Sequence, residues 1–389
     1  MTLEATSPPH SLIVVGPSPD STGGMARVVE QSIALDIGDH YAVHLHPMTF
    51  APNQREGLAG RVCRHLRHLR RFRSLIRETR ASIVHIHACS GFTFWRCAVD
   101  LIAARWMACS TVLHIHGAKF DEFYDSSSRV GRRLIRWVLN RAQRVIALSA
   151  DWRTQLYRMA PQARIEVIEN AVERPPAPAS DRPPGPCRFL LLARMDLWKG
   201  VHDLLDACAL LRDRGGAFHV TLAGPPGTAG DERNLRERIK SVGLGDFVSY
   251  VGNLDAQAKW QALHRANAYV QPSHHEGMPI ALLEALACGL PIVATRVGAV
   301  GEVLDGSEAG LLTSAHDPLA LADAMARLID DPPLRDVMSA AARRLARGRF
   351  SIERFRLRHL AMYDDLIRER ESVGHERRDH DPVIGVSSS

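Results

Sequence analysis

The chain has 389 residues, too many for one ordinary domain, so two domains are expected. Its 46% hydrophobic and 24% charged residues are typical of a globular protein, and no apolar run is long enough to predict a membrane span. The net charge of +6 favours an anionic partner without naming one.

The cysteines and the N-terminus bear on the compartment. Seven cysteines are scattered without a CxxC pair, a pattern that fits a reducing compartment better than a disulfide framework. Residues 1–16 lack the basic region and long apolar stretch of a signal peptide. We therefore expect a cytoplasmic protein.

The first half of the chain alternates short apolar runs with longer amphipathic segments. Buried strands are predicted at 11–16, 82–88, 110–116 and 144–149, and helices near 24–36, 58–80, 92–108 and 129–142. Repeated strand–helix units predict a parallel, doubly wound sheet.

The proline-rich segment 173–186 suits neither a helix nor a sheet interior, so it is predicted to be a linker. After it the strand–helix rhythm restarts, with strands predicted at 187–194, 218–224, 247–252, 268–273, 291–295 and 310–313. The predicted domains are therefore 1–172 and 187–350. A C-terminal helix at 351–371, which could pack back on the first domain, and a disordered tail at 372–389 complete the chain.

Two such domains are expected to face each other across a cleft, because ligands of doubly wound sheets bind outside the carboxyl ends of the strands. Glu276 lies on the loop after a predicted strand, and Glu284 lies within the helix that runs from about Pro279 to Cys288. A helix N-terminus attracts anions, and carboxylates accept hydrogen bonds from sugar hydroxyls. The alternative is a solvated Glu284 and a Glu276 that only favours the helix dipole.

Arg194 and Lys199 follow the first strand of the second domain. An arginine fork and a lysine suit a diphosphate, although both could be ordinary surface charges. Gly23 and Gly24, in the first strand–helix loop, permit close approach of the backbone to an anion, or a simple tight turn.

Histidines recur in "HIHA" (85–88) and "HIHG" (114–117), two on one face of each strand. Four imidazoles could bind zinc, but separate core or cleft histidines are the more frequent arrangement. His116, at the end of its strand, is best placed to touch a substrate.

Several segments resemble the retaining glycosyltransferase family 4, with the GT-B fold. They are "LLLARMDLWKG", "VSYVGNL", "IENAVE" and "YVQPSHHEGMPIALLEALACGLPIVATRVGAVGEVLDGSEAGLL". The resemblance covers most of residues 11–345 and is densest over 187–315. Ala193 and Ala171 stand where the family often has glycine, and Met278 where it often has Phe or Leu.

The resemblance implies a role for each candidate residue. Glu276 would hold hydroxyls of the donor sugar, and Glu284 the ribose. Arg194 and Lys199 would bind the diphosphate, and His116 would lie near the reacting sugar. Catalytic roles are thus expected for His116, Glu276, Arg194 and Lys199. Donor binding is expected at Gly23, Gly24, Arg194, Lys199, Met278, Pro279, Ile280 and Glu284.

The predicted activity is transfer of a sugar, with retention, from a nucleoside diphosphate sugar to a glycan or lipid-linked glycan. The resemblance implies no metal, and the nucleotide sugar is a substrate rather than a cofactor. No nucleic-acid partner is expected. A nucleotide-sugar epimerase of similar fold, or a non-catalytic nucleotide-sugar binder, remains the alternative.

The segment 61–80 carries eight arginines and one acid, with apolar residues at helical spacing, Val62 and Leu66 among them. One helix face is predicted to pack on the first sheet, with the arginines around the other. The segment predicts either a solvated helix face or a surface that docks on an anionic bilayer. The second interpretation would place the protein on the inner face of the cytoplasmic membrane.

Overall fold

The computed structural model describes residues 10–18, 21, 23–35, 37–48, 58–178, 184–228 and 230–379. The chain divides into two compact units. The first unit holds the described residues up to Ala147, Gln155–Ile168 and the described residues from Arg356 onward. The second unit holds Leu148–Thr154 and Glu169–Phe355. The predicted linker is described at 173–178 and 184–186, while its remaining residues lie outside the described ranges.

Each unit contains one parallel sheet. The strands of the first unit are β1 (His10–Gly16), β2 (Tyr41–Pro47), β3 (Ile83–Ala88), β4 (Ser110–Ile115), β5 (Arg144–Ala147) and β6 (Ile165–Val167). The strands of the second unit are β7 (Cys187–Leu192), β8 (Phe218–Ala223), β9 (Val248–Tyr250), β10 (Ala268–Gln271), β11 (Ile292–Thr295) and β12 (Gly310–Thr313). The spatial orders are β2-β1-β3-β4-β5-β6 and β12-β11-β10-β7-β8-β9.

Helices connect the strands. They are α1 (Gly24–Ile33), α2 (Leu58–Thr79), α3 (Phe92–Trp106), α4 (Phe120–Ser126), α5 (Arg129–Arg141), α6 (Ala150–Met159), α7 (Val201–Asp213), α8 (Asp231–Ser241), α9 (Ala256–Arg265), α10 (Ile280–Ala287), α11 (Val300–Leu304), α12 (Pro318–Asp330), α13 (Pro332–Gly348) and α14 (Ile352–Asp379). The predicted C-terminal helix therefore continues through Asp379, so residues 372–379 of the predicted disordered tail are helical. Residues 380–389 lie outside the described ranges.

The central strands follow from their apolar composition. Every residue of β3, β4, β5, β10 and β11 is buried, as expected when helices cover both faces of a parallel sheet. Two described strands, β2 and β6, were not predicted from the sequence. They form the two edges of the first sheet, where most of their residues are only partly buried and the apolar signal is correspondingly weak.

The described part of α14 from Arg356 onward belongs to the first unit and is held there by polar contacts. The hydroxyl of Tyr363 lies 2.6 Å from Nδ1 of His85. Arg144 donates to Glu369 at 2.7 Å, and the hydroxyl of Tyr41 donates to Asp364 at 2.7 Å. These contacts hold the helix against β2, β3 and β5 of the same unit.

Candidate functional site

The strand order of the second sheet predicts where a ligand binds. β7 lies between β8 and β10, so the connections on its two sides run in opposite directions. The loops that follow β7 and β10 border this switch point, which is the usual ligand crevice of a doubly wound sheet. The loop after β7 carries Arg194 and Lys199, and the loop after β10 carries Glu276. Three predicted site residues thus belong to the two loops at the switch point.

Glu276 is 6% exposed and has two partners in this crevice. Its Oε1 accepts from Nζ of Lys199 at 2.7 Å and from the hydroxyl of Ser273 at 2.7 Å. Lys199 ends a short 3₁₀ turn, Leu197–Lys199, and its ammonium lies 4.1 Å from the centroid of the Trp198 ring. Burying a carboxylate is costly unless it is paired and hydrogen-bonded, and both partners are present here.

Two glycines let neighbouring segments approach the Glu276 loop closely. Gly200, at φ 69°, lies so near that a Cβ would stand 1.8 Å from the carbonyl oxygen of Pro272. Gly298, at φ 51°, would place a Cβ 1.8 Å from the carbonyl oxygen of Glu276. Any side chain at either position would displace the loop, so both glycines help to hold the carboxylate in place.

α10 begins directly beside this carboxylate. Pro279 is its N-cap residue and supplies no side-chain acceptor to the first turn. Met278 and Ile280 are 4% and 7% exposed, and the side-chain amide of Asn170 donates to the carbonyl of Met278 at 2.8 Å. The predicted donor-binding residues Met278, Pro279 and Ile280 therefore shape an ordered helix N-terminus, which favours an anion.

Glu284 lies one turn inside α10 and is 4% exposed. Its Oε1 is 2.5 Å from Nζ of Lys259, a residue of α9. The interpretation of Glu284 as a solvated helix residue is therefore wrong. The carboxylate is buried, charge-paired and on the same short helix that follows Glu276.

Arg194 differs from the other candidates in its exposure. Its side chain is 56% exposed, and its Nε donates to Asp196 at 2.5 Å. A guanidinium has five N–H donors, so an exposed one that donates to a carboxylate through Nε has others that a ligand can accept from. The two loops at this switch point thus carry Arg194, Lys199 and the buried Glu276, and the helix that follows Glu276 carries the buried Glu284.

In the first unit, β1 lies at the corresponding switch point, between β2 and β3. Gly23 is the N-cap of α1 at φ 126° and ψ 162°, and no atom lies within 4 Å of the place a Cβ would take. Gly24 is the first residue of that helix, whose first turn has no acidic residue and no side-chain cap. This N-terminus can accept an anion.

His116 directly follows β4, the strand beside β3. Its backbone N–H donates to the carbonyl of Ala88 at 2.8 Å, and its Nε2 lies 2.8 Å from Nδ1 of His87. Burial, with a further contribution from His359, lowers the pKa of His116 to about 3. The imidazole is therefore neutral at physiological pH, with one ring nitrogen engaged by His87.

Three partners of the predicted residues were not found from the sequence. Ser273 and Lys259 hold the two glutamates, and His87 holds His116. The sequence could have indicated Ser273, because this residue ends the predicted strand that leads to Glu276. No sequence pattern indicated Lys259, since a lysine in a helix that precedes β10 is normally a surface charge.

Known proteins resemble this chain over both units. The sequence-family model for glycosyl transferases group 1 matches residues 177–345. The sequence-family model for the glycosyl transferase 4-like domain matches residues 13–171. A glycogen synthase of Mycobacterium tuberculosis is 30% identical over 281 residues, which are 70% of this chain and 64% of that protein. The match thus spans less than two thirds of that relative.

Solved structures share the fold. Sucrose-phosphate synthase from Thermosynechococcus elongatus superimposes with a TM-score of 0.78 at 19% identity, over 92% of this chain and 100% of that one. Anabaena Alr3699/HepE in complex with UDP-glucose gives a TM-score of 0.71 at 20% identity, over 91% and 99%. With two Rossmann-like units and family models matching both of them, the chain belongs to the group 1, family 4 glycosyltransferases of the GT-B fold.

Proposed function

We propose that the chain transfers a glycosyl group from a nucleoside diphosphate sugar to a hydroxyl of a glycan acceptor. The observation that carries this proposal is the buried Glu276, held by Lys199 and Ser273 at the switch point of the second sheet. The fold shared with a protein bound to UDP-glucose supports a UDP-sugar as the first donor to test.

The site supports one way of holding such a donor. The diphosphate lies against Lys199, Arg194 and the first turn of α10, where positive charge and open N–H groups meet. Glu276 then accepts from hydroxyls of the donor sugar. Glu284, one turn into the same helix, accepts from the ribose hydroxyls.

Lys199 changes partner in this scheme. Without donor, its charge is neutralised by Glu276 at 2.7 Å. A diphosphate competes for the ammonium, and sugar hydroxyls replace it at the carboxylate. Binding energy at the diphosphate is thereby linked to the placement of the sugar.

Charge that develops on the leaving diphosphate is stabilised by the same cations, which is commonly the largest catalytic contribution. In the donor complex sugar hydroxyls occupy Glu276, and ribose hydroxyls occupy Glu284, which also pairs with Lys259, so neither carboxylate acts as a covalent nucleophile. The acceptor hydroxyl attacks the anomeric carbon from the face that the diphosphate leaves. The sugar–phosphate bond breaks as the glycosidic bond forms, the hydroxyl proton passes to the departing diphosphate oxygen, and the anomeric configuration is retained. Comparison of the anomeric signals of donor and product by proton NMR tests retention.

The transfer step needs no divalent ion, because two side-chain cations and a helix N-terminus supply the positive charge at the diphosphate. Transfer assayed in the presence of EDTA is expected to proceed at the rate measured without it. A strict requirement for added Mg²⁺ or Mn²⁺ would contradict this part of the proposal.

The acceptor is proposed to be a lipid-linked glycan of a polysaccharide pathway, presented at the inner face of the cytoplasmic membrane. α2 supports this proposal because Val62 and Leu66, predicted to pack inward, are each 50% exposed among exposed arginines. Phe72 and Ile76, later in the helix, are buried. Within the described residues, no helix is both long and apolar enough to cross a bilayer.

Nucleoside diphosphate release distinguishes the candidate activities. The full-length protein is incubated with UDP-, GDP- and ADP-sugars, each with and without a pool of lipid-linked and soluble glycan acceptors. A transferase releases nucleoside diphosphate with one donor only when an acceptor is present. Interconversion of the donor sugar without release would indicate an epimerase, and binding without either reaction would indicate a non-catalytic binder.

A further inference from the structure

The second unit carries a cluster of metal-ligating side chains outside the proposed donor contacts. Asp203 lies in the first turn of α7, His274 in the loop after β10, and His316 in the turn between β12 and α12. All three segments follow strands of one parallel sheet, so they lie on the side of the sheet where the strands have their carboxyl ends. We propose that Asp203, His274 and His316 bind a divalent transition-metal ion, with zinc as the first candidate.

The ligand atoms are close to the spacing that zinc requires. Nε2 of His274 lies 2.8 Å from Oδ2 of Asp203, and Nδ1 of His316 lies 4.0 Å from the same oxygen. All three ligand atoms lie within 4.8 Å of one another. A tetrahedral zinc ion with bonds of about 2.0–2.2 Å separates its ligand atoms by roughly 3.3 Å. Movements below about 1 Å therefore convert the cluster into three corners of a zinc site.

A histidine–aspartate pair accounts for His274 but not for His316. The two imidazole rings lie with their centroids 3.7 Å apart, at an angle of 39°. His316 occupies this position at φ 60°, in the left-handed region that residues other than glycine rarely adopt. A metal ion supplies what the pair lacks, a common partner for both rings and the carboxylate.

The chemistry of the donors favours zinc over magnesium or calcium. Two imidazole nitrogens and one carboxylate oxygen suit a borderline ion, whereas magnesium and calcium prefer all-oxygen sites. The His316 side chain is 69% exposed, while those of Asp203 and His274 are 19% and 16% exposed. Water can therefore reach the cluster and complete the coordination.

Two other histidine groups lie in the first unit, His85–His114–His359 and His87–His114–His116. Neither contains a carboxylate, and His85, His87, His114 and His359 are fully buried. A hydrated ion reaches them less readily, and no anionic ligand offsets its charge. The Asp203 cluster is therefore the better metal site, because water reaches it and because it contains a carboxylate.

The backbone around His274 connects this site to the loop of Glu276. The N–H of His274 donates to the carbonyl of Trp198 at 2.8 Å, and Ser273, the preceding residue, donates to Glu276. A metal bound at His274 would fasten this loop to α7 and to the turn before α12. Metal binding is therefore expected to raise the temperature at which the second unit unfolds.

Titration calorimetry with zinc chloride on EDTA-stripped, full-length protein tests the proposal. The wild type is expected to bind about one equivalent at this site. His316→Ala and Asp203→Asn are each expected to weaken that binding by at least about tenfold, a loss seen even for outer-shell partners. His202→Ala, which removes an exposed histidine of α7 outside the cluster, serves as the matched control and is expected to bind as the wild type does.

Thermal unfolding with and without zinc gives a second readout that does not depend on activity. The wild type and His202→Ala are expected to be stabilised by zinc, and His316→Ala is not. Zinc affinity unchanged in both His316→Ala and Asp203→Asn would overturn the proposal and assign any bound zinc to the other histidines. An equal loss in His202→Ala would also overturn it.

Discussion

The ammonium of Lys199 lies 2.7 Å from Oε1 of Glu276, although 77 residues separate them in the chain. Their side chains are 15% and 7% exposed, so this ion pair is largely shielded from water. The family resemblance implies that these two residues hold different parts of a donor, its diphosphate and its sugar, and in the structure they neutralise each other.

Glu276→Gln is expected to lower turnover by about a hundredfold or more, as is typical when one preorganised polar group is lost from a site. The amide keeps the size of the side chain but loses charge and one acceptor position. Steady-state rates of nucleoside diphosphate release measure the effect. Glu232→Gln, which changes an exposed glutamate of α8, is the control and should leave the rate unchanged. Wild-type turnover in Glu276→Gln would remove this residue from the site.

Lys199→Met is expected to destabilise the second unit by about 3 kcal/mol, because it leaves a buried carboxylate without its cation. Urea denaturation measures the free energy of unfolding. The penalty should shrink when Glu276→Gln is present in the same chain, since no charge is then left unpaired. Equal penalties in the two backgrounds would show that the ion pair does not contribute to stability.

Arg194→Ala is expected to weaken binding of the nucleoside diphosphate by roughly 10- to 100-fold, the value of a charge-assisted hydrogen bond. Because Arg194 is exposed and pairs only with neighbouring Asp196 among the contacts described, its removal should leave stability nearly unchanged. Calorimetry with UDP measures the affinity. Arg236→Ala, on the surface of α8, is the charge-matched control. Equal affinities in wild type and Arg194→Ala would place the diphosphate elsewhere.

The buried histidines of the first unit predict acid sensitivity. Burial lowers the pKa of His85, His87 and His114 well below 6.5, and lowers that of His116 to about 3. As the pH falls below about 6.5, these histidines bind protons in the unfolded chain but not in the folded chain. The free energy of unfolding therefore decreases. Above that pH, these histidines no longer lower the free energy of unfolding.

His87→Gln removes one of these groups while keeping a side chain that can hydrogen-bond. The slope of unfolding free energy against pH, measured between the lowered pKa values and 6.5, is expected to become shallower by about 1.4 kcal/mol per pH unit. Urea denaturation at several pH values measures it. An unchanged slope would mean that His87 is protonated in the folded chain.

Membrane docking through α2 predicts salt-sensitive cosedimentation with vesicles that contain anionic lipid. Changing the exposed Arg67, Arg70, Arg71 and Arg73 to Gln should abolish most of the binding. The control changes Arg233, Arg236, Arg238 and Lys240 of α8 to Gln, which removes the same net charge from the second unit. Loss of binding in both variants would indicate a general charge effect, and no binding by the wild type at low salt would leave a solvated helix.

The loops that carry the candidate residues could be predicted from the sequence, because the positions of these loops depend on local rules. Strands buried on both faces are recognisable as apolar runs, and ligand-binding residues follow such strands. Glu276 and Lys199 were placed on the correct loops by these rules alone. Gly289, at φ 70° just after α10, likewise marks the end of its helix in the sequence.

The contacts between distant segments could not be predicted in this way. The pairing of Lys259 with Glu284 depends on how α9 and α10 pack, and no period or spacing in the sequence encodes that. The edge strands β2 and β6 were missed because partial burial weakens the apolar pattern. The exposure of Val62 and Leu66 was missed because a helical period identifies an apolar face but not how much of it is covered.

Paired affinities test most directly whether Glu276 holds the donor sugar while Glu284 holds the ribose. Calorimetry compares UDP with the UDP-sugar that supports transfer, in wild type, Glu276→Gln and Glu284→Gln. Glu284→Gln is expected to weaken both ligands alike, since both contain the ribose. Glu276→Gln is expected to weaken the UDP-sugar and not UDP, since the lost contacts are to the sugar and Lys199 is released for the diphosphate. Equal weakening of both ligands by Glu276→Gln, or of neither by Glu284→Gln, would contradict the account.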